Sequence, residues 1–162
     1  MIRLATLQVL ITSILLSNNN HPIILVHGFL GWGKEEVGDK NYWGGESDIE
    51  KYLNDKGYQV HSVSLGPVSS TYDCAIETFY QIKGGQVDYG QEHSETYKII
   101  RKPVGKIYKG LYPEWNEENP VHLIGYSFGG LTNRMLLHLL NSTFLKSEDG
   151  EFVGLEKLFI FE

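Results

Sequence analysis

Apolar residues fall along this chain in two rhythms. Pro22-Ile23-Ile24-Leu25-Val26 is a short, continuous apolar run, as expected of a strand buried on both faces of a parallel sheet, and Val121-His122-Leu123-Ile124 is a second apolar run that reads as a strand. Tyr58 to Leu65 alternates well enough for a further strand, and Leu158-Phe159-Ile160-Phe161 begins one more. Between these runs the spacing turns helical. Ser47 and Glu50 read as a capping box ahead of Ile49, Tyr52 and Leu53, with Gly57 at the C-terminal cap. Ser70 and Asp73 read as a second cap ahead of the stripe Tyr72, Ile76, Phe79 and Tyr80, which reads as core. Leu131 to Leu140 is compatible with a third helix. Strand and helix in alternation predict an α/β fold, a mostly parallel sheet with flanking helices.

Two stretches stand outside this pattern. From Gly84 to Pro120 no period persists, which predicts an inserted surface region of functional use over about residues 84–120. At the N-terminus, Met1-Ile2-Arg3 precedes a mostly apolar run from Leu4 to Leu16, too short to span a bilayer, so residues 1–17 read as a secretory signal peptide and the chain as secreted. If that run is not a leader, the chain is intracellular. Asn141-Ser142-Thr143 fits a glycosylation acceptor on a secretory route.

Composition narrows the partners. With 162 residues and 41% hydrophobic content the chain supports one core, placed from residue 21 to 162. The net charge is −6 and the basic residues form no stripe along the chain, which argues against nucleic acid. Cys74 is the lone cysteine, so an internal disulfide and a cysteine-rich zinc module are both excluded.

The chemistry gathers at Gly125-Tyr126-Ser127-Phe128-Gly129, set between the Val121 strand and the Leu131 helix. A serine flanked at two positions by glycine can occupy a sharp, strained strand-to-helix turn, because side chains at the glycine positions would strike neighbouring elements. This is the nucleophile elbow of α/β-hydrolases, with Ser127 as nucleophile and the N–H of Phe128 as one oxyanion donor. The second donor is assigned to the N–H of Phe29, in the loop His27-Gly28-Phe29-Leu30-Gly31-Trp32-Gly33 that follows the first strand. The competing reading makes Phe29 a hydrophobic plug under the sheet edge.

A base and an acid are harder to find. In this fold they follow the serine in the order Asp or Glu, then His. His138 is the only later histidine, eleven residues along the same helix, roughly 16 Å away at 1.5 Å per residue. His27 belongs to the oxyanion loop and His122 sits inside a strand. The expectation is that this polypeptide alone hydrolyses esters barely or not at all.

Several motifs in fixed order resemble the thermoalkalophilic and staphylococcal bacterial lipases. They are Pro22 to Phe29 with Trp32-Gly33, Tyr42-Trp43-Gly44-Gly45, Gly66-Pro67-Val68-Ser69-Ser70, Lys83 to His93, and Gly125 to Gly130. Tyr112-Pro113-Glu114-Trp115 is more similar to the plant relatives. The resemblance runs from about Pro22 to Glu162, the N-terminal part of that catalytic domain, and implies a sheet cut after the strand that follows the nucleophile helix. It implies Ser127 as nucleophile, Phe29 and Phe128 at the oxyanion hole, and an acid, a histidine, a calcium site and a lid lying outside this chain. It also implies a zinc ion held by two aspartates and two histidines, of which Asp73 and His93 match one each. Ile99 or Arg101 stands where the second histidine would be. The alternative is that Asp73 caps its helix and His93 packs on a neighbouring tyrosine or tryptophan.

The functional expectation is therefore a carboxylic-ester hydrolase of triacylglycerol-lipase type, acting through a serine acyl-enzyme on a lipid or ester substrate, with contact to a lipid interface and no transmembrane segment in the mature chain. The alternative is a non-catalytic lipid- or partner-binding module that keeps the elbow.

Overall fold

A computed structural model describes residues 20–34 and 36–141 and the backbone of 159–160. The predicted leader, residues 1–17, and most of the glycosylation tripeptide lie outside the described residues. Four parallel strands form the main sheet in the order β2-β1-β5-β6: β1 (Ile23–Val26), β2 (Val60–Ser62), β5 (His122–Gly125) and β6 (Phe159–Ile160). The helices are α1 (Ile49–Asp55), α2 (Thr71–Lys83), α3 (Gln91–Tyr97) and α4 (Phe128–Asn141), and β3 (Gly85–Gln86) pairs antiparallel with β4 (Ile107–Tyr108) in a separate ribbon. The alternation of strand and helix makes this an α/β fold.

The apolar runs become the strands for the reason the pattern suggests. Ile24, Leu25 and Val26 are buried in β1, which is flanked by β2 on one edge and β5 on the other, and Leu123 is buried beside them, whereas Ile124 of β5 is exposed. Ile24, Val26 and Leu123 join Ile76 and Phe79 of α2 and Leu136, Leu139 and Leu140 of α4 in one core. The Ser70 side chain caps α2 by accepting from the Asp73 N–H at 3.1 Å.

The chain crosses from β1 to β2 on one side, then returns to place β5 on the other. Strand order therefore reverses at β1, and a crevice opens beyond the carboxyl ends of β1 and β5. Val26 sits opposite Gly125 in the register, so the two following loops leave the sheet at the same level.

The structure departs from the pattern in three places. Asp48, not Ser47, caps α1, accepting from the Lys51 N–H at 2.8 Å. Glu50 instead accepts from the Ser62 N–H and pairs with Lys34, tying α1 to the end of β2. The apolar face of α1 is not buried: Ile49 and Tyr52 are exposed. The strand expected over Tyr58 to Leu65 is only Val60–Ser62: Asn54 captures the N–H and C=O of Val60, and beyond Val63 the N–H groups of Ser64 and Leu65 donate to the side chains of Gln81 and His27 instead of a strand.

The stretch 84–120, which lacks a period, is more than surface. It contains β3, α3 and β4 and buries Val87, Tyr89 and Trp115 in the main core. Elements of two to seven residues are too short to express a period, yet hydrogen bonds hold them. Leu111 and Tyr112 N–H groups donate to the last-turn carbonyls of Gln81 and Ile82 on α2, and Lys83 Nζ donates to the carbonyls of Pro113 and Trp115.

Candidate active site

Three residues other than glycine take a left-handed φ among the described residues, Leu30, Lys98 and Ser127, and two of them, Leu30 and Ser127, lie in the loop and the turn that meet here. Ser127 has φ +55°, a left-handed conformation that costs an L-residue with a side chain about 1 kcal/mol. The flanking glycines explain how the turn closes. A Cβ on Gly125 would lie 2.4 Å from the Gly129 carbonyl carbon, and one on Gly129 would lie 2.1 Å from the Val26 carbonyl oxygen. Both neighbours are backbone, so neither yields cheaply. The collisions expected from the sequence at the two glycine positions are present as geometry.

The loop after β1 rests directly on this turn. A Cβ on Gly28 would come within 3.0 Å of the Ser127 Cβ and 3.3 Å of the Phe128 nitrogen. The loop is pinned by three bonds: the Gly28 N–H donates to the Tyr42 hydroxyl (3.1 Å), the Leu30 N–H to the Pro67 carbonyl (2.8 Å) and the Gly31 N–H to the Gly28 carbonyl (2.9 Å). Between them, the Phe29 N–H donates to no described residue, and neither does the N–H of Phe128 at the start of α4. The Phe29 side chain is 59% exposed and is not a plug beneath the sheet. The two amides that donate to no described residue thus belong to the loop and the turn that pack against each other at Ser127, and an oxyanion requires donors left free in this way.

No imidazole among the described residues is bonded to the Ser127 hydroxyl. His27, the nearest in sequence to the loop, is buried and committed at both nitrogens. The Leu65 N–H donates to its Nε2 at 2.9 Å, which leaves Nδ1 to donate to the Gly28 carbonyl at 3.0 Å. His27 therefore holds the loop in place. His122 lies within β5, its ring 5.9 Å from that of His21, and burial pushes its imidazole below the usual range. His138 is in the last turn of α4.

Residues that the pattern did not single out by role complete the mouth. Tyr42, Trp43, Trp32 and Tyr126 line an open cleft of about 530 Å³ beside the elbow, and Trp32 meets Tyr42 edge-on at 5.3 Å. Their sequence signal was three aromatics within a glycine-rich, non-periodic loop.

Asp73 and His93 are brought together, with His93 Nε2 2.8 Å from Asp73 Oδ1. The His93 ring stacks on Tyr72 at 3.9 Å and tilts against Tyr97 at 4.7 Å. Asp73 does not cap α2, since Ser70 does; its Oδ2 accepts from the Ser70 hydroxyl at 2.8 Å. Among the described residues no third histidine, cysteine, aspartate or glutamate joins the pair. Ile99 and Arg101 lie close by in sequence, and Arg101 is bidentate with Asp88.

The family model described as the lipase-like, C-terminal domain matches residues 19–152. Lipase 2 of Staphylococcus aureus is 43% identical over 131 residues, covering 76% of this chain and 18% of that protein. The lipase of Staphylococcus hyicus is 40% identical over 124 residues, covering 75% of this chain and 19% of that protein. Among solved structures, lipase 1 from Pelosinus fermentans superposes with a TM-score of 0.73 at 45% identity, over 82% of this chain and 34% of that one. EstA from Clostridium botulinum superposes with a TM-score of 0.77 at 39% identity, over 88% of this chain and 34% of that one. The chain thus spans about a fifth of the length of these curated relatives and about a third of these solved chains.

Proposed function

The chain belongs to the lipase-like family that includes the staphylococcal lipases, and on that premise we propose that it carries the nucleophile and oxyanion hole of a carboxylic-ester hydrolase of α/β-hydrolase fold. The substrate is a lipid ester, of the acylglycerol class that a triacylglycerol lipase cleaves. Ser127 Oγ attacks the ester carbonyl, and the N–H groups of Phe29 and Phe128 receive the oxygen that becomes negative. Collapse of the tetrahedral intermediate expels the alcohol and leaves an acyl-Ser127 ester, which water then hydrolyses.

The observation that carries this reading is the left-handed φ of Ser127 in a turn closed by glycines on both sides, against which the loop carrying the unengaged Phe29 amide packs. Strain held by backbone packing is the mark of a positioned group. Among the described residues His27 and His93 are bonded elsewhere and no imidazole is bonded to the Ser127 hydroxyl, so slow reaction of this chain is the expected outcome. A fluorophosphonate probe tests the proposal: it labels Ser127 in any longer product of the same gene, labels this chain slowly, and labels no Ser127→Ala variant. Absence of labelling in every form overturns it.

The lack of an imidazole bonded to Ser127 among the described residues supports a second reading, a non-catalytic lipid- or partner-binding module. That reading predicts no probe labelling in any form.

The resemblance implies zinc. Asp73 and His93 fit half of a four-ligand site, because Oδ1 and Nε2 converge from α2 and α3. These two residues would hold the ion, which would tie the two helices together without entering the reaction. Zinc stoichiometry after dialysis of the wild-type and the His93→Ala chain tests this; a metal-free chain of equal stability contradicts it. Secretion remains part of the proposal through residues 1–17. No helix among the described residues is long and apolar enough to cross a membrane.

A further inference from the structure

The segment from Tyr97 to Lys109 differs from the rest of the molecule. Lys98, Arg101, Lys102, Lys106 and Lys109 fall within it with no acidic residue between them, in a chain whose net charge is −6. The cations that form no stripe along the chain as a whole are clustered here. The same segment leaves large apolar side chains in solvent: Ile100 is 71% exposed, Val104 91% and Ile107 66%, with Tyr97 and Ile99 also exposed.

This exposure is built in by the backbone. The Arg101 carbonyl accepts from the Tyr89 N–H, the Lys106 carbonyl accepts from the Val87 N–H, and Gln86 Nε2 donates to the Pro103 and Lys106 carbonyls. Pairing of β3 with β4 turns Tyr108 toward the core and leaves Ile107 outside. The segment is thereby fastened at residues 101, 103 and 106, with the exposed Ile100 just ahead of the first fastening and the exposed Val104 between the second and third. Two acids face it. Asp88 takes Arg101 and Lys102, and buried Glu77 takes Lys106. Lys98 and Lys109 have no carboxylate partner among the described residues.

We propose that this segment is a docking surface for an anionic lipid layer, with Ile100, Val104 and Ile107 entering the acyl boundary and Lys98 and Lys109 meeting the headgroup charge. Aliphatic side chains flanked by cations are the chemistry of interfacial adsorption, and the charge selects anionic over zwitterionic lipid. The surface lies outside the elbow and does not depend on ester cleavage.

The test uses the whole chain and vesicles of ether-linked lipids, which no esterase cleaves at the acyl position. Sedimentation with vesicles containing about one-third phosphatidylglycerol is expected to show adsorption at least about tenfold stronger than with phosphatidylcholine alone. The preference is expected to fade at about 0.5 M salt, where screening shortens to a few ångströms. Ile100→Ser with Val104→Ser reduces adsorption to both lipids, and Lys98→Asn with Lys109→Gln removes the anionic preference. All four side chains are exposed, so circular dichroism should report an unchanged fold. Equal adsorption to both vesicle types, or binding untouched by either double variant, overturns the proposal. So does a concentration-dependent dimer abolished by the serine variant in a chain that ignores vesicles, which would assign the patch to a second copy.

Discussion

The sheet with its elbow and the segment from Gly84 to Pro120 are held together by different means. In β1, β5 and α4, burial of apolar side chains does the work, on both faces of β1, and the strained turn at Ser127 is closed by backbone against backbone. In the segment, specific polar contacts carry much of the structure. Glu77, 1% exposed on α2, accepts from the Tyr89 hydroxyl at 2.7 Å and pairs with Lys106. Tight backbone packing tolerates no added atom, whereas a polar network tolerates replacement as a set but not piecemeal. That contrast orders the experiments.

The largest effect belongs to the elbow. Gly129→Ala drives a Cβ into the Val26 carbonyl oxygen, which has no flexible end to move, and is expected to cost about 3 kcal/mol or more. Urea unfolding measures it; a cost below about 1 kcal/mol would mean that the close approach is not needed.

Next comes the network. Lys106→Met leaves Glu77 buried with only Tyr89 as partner and is expected to cost about 2–3 kcal/mol at neutral pH. This is near the low end for breaking a buried pair, because Lys106 keeps part of its side chain in water. Adding Glu77→Leu and Tyr89→Phe, which replaces the network as a set, should recover most of that loss, since apolar groups can replace a buried ion pair at little cost. Failure of the triple variant to recover stability would show that the network has a role beyond mutual neutralisation.

A smaller effect of opposite sign is expected at Ser127. Ser127→Gly removes the left-handed strain and should stabilise the chain by about 1 kcal/mol while abolishing probe labelling. Destabilisation would argue against strain at that position.

The smallest effect is a pH dependence. Burial works to raise the Asp88 carboxyl, but hydrogen bonds from Arg101, the Gly90 N–H and Lys102 outweigh it and hold the group below the usual carboxylate range. A folded pKa below the unfolded one means the contribution is complete above about pH 4 and is lost as pH falls through the folded value. Asp88→Asn should flatten that part of the acid limb, and an unchanged limb would remove Asp88 as its source.

The same contrast explains what the amino-acid sequence made legible. The buried runs at Ile23 and Leu123, the Ser70 cap and stripe of α2, and the glycines of the elbow each show a local cause, so they could be read in order. Asp48 and Ser47 are adjacent residues equally able to cap α1, and the long-range ties of Glu50 and Lys34 are not visible in the local pattern. Glu77 sits inside an apolar stripe and looks misplaced until Lys106 and Tyr89 arrive from a segment without a period. Tyr42 gave no sign of its bond to Gly28, because a single tyrosine hydroxyl and a distant N–H leave no periodic trace.

The central claim is that Ser127 is a preformed nucleophile awaiting a base. The most direct measurement is the rate of fluorophosphonate labelling of this chain, with the adduct located by mass spectrometry, as imidazole is added to serve as an external base. The account predicts slow labelling without imidazole, a rate that rises with its concentration, and an adduct on Ser127 that Ser127→Ala eliminates. No adduct at any imidazole concentration, or an adduct on another serine, would contradict it.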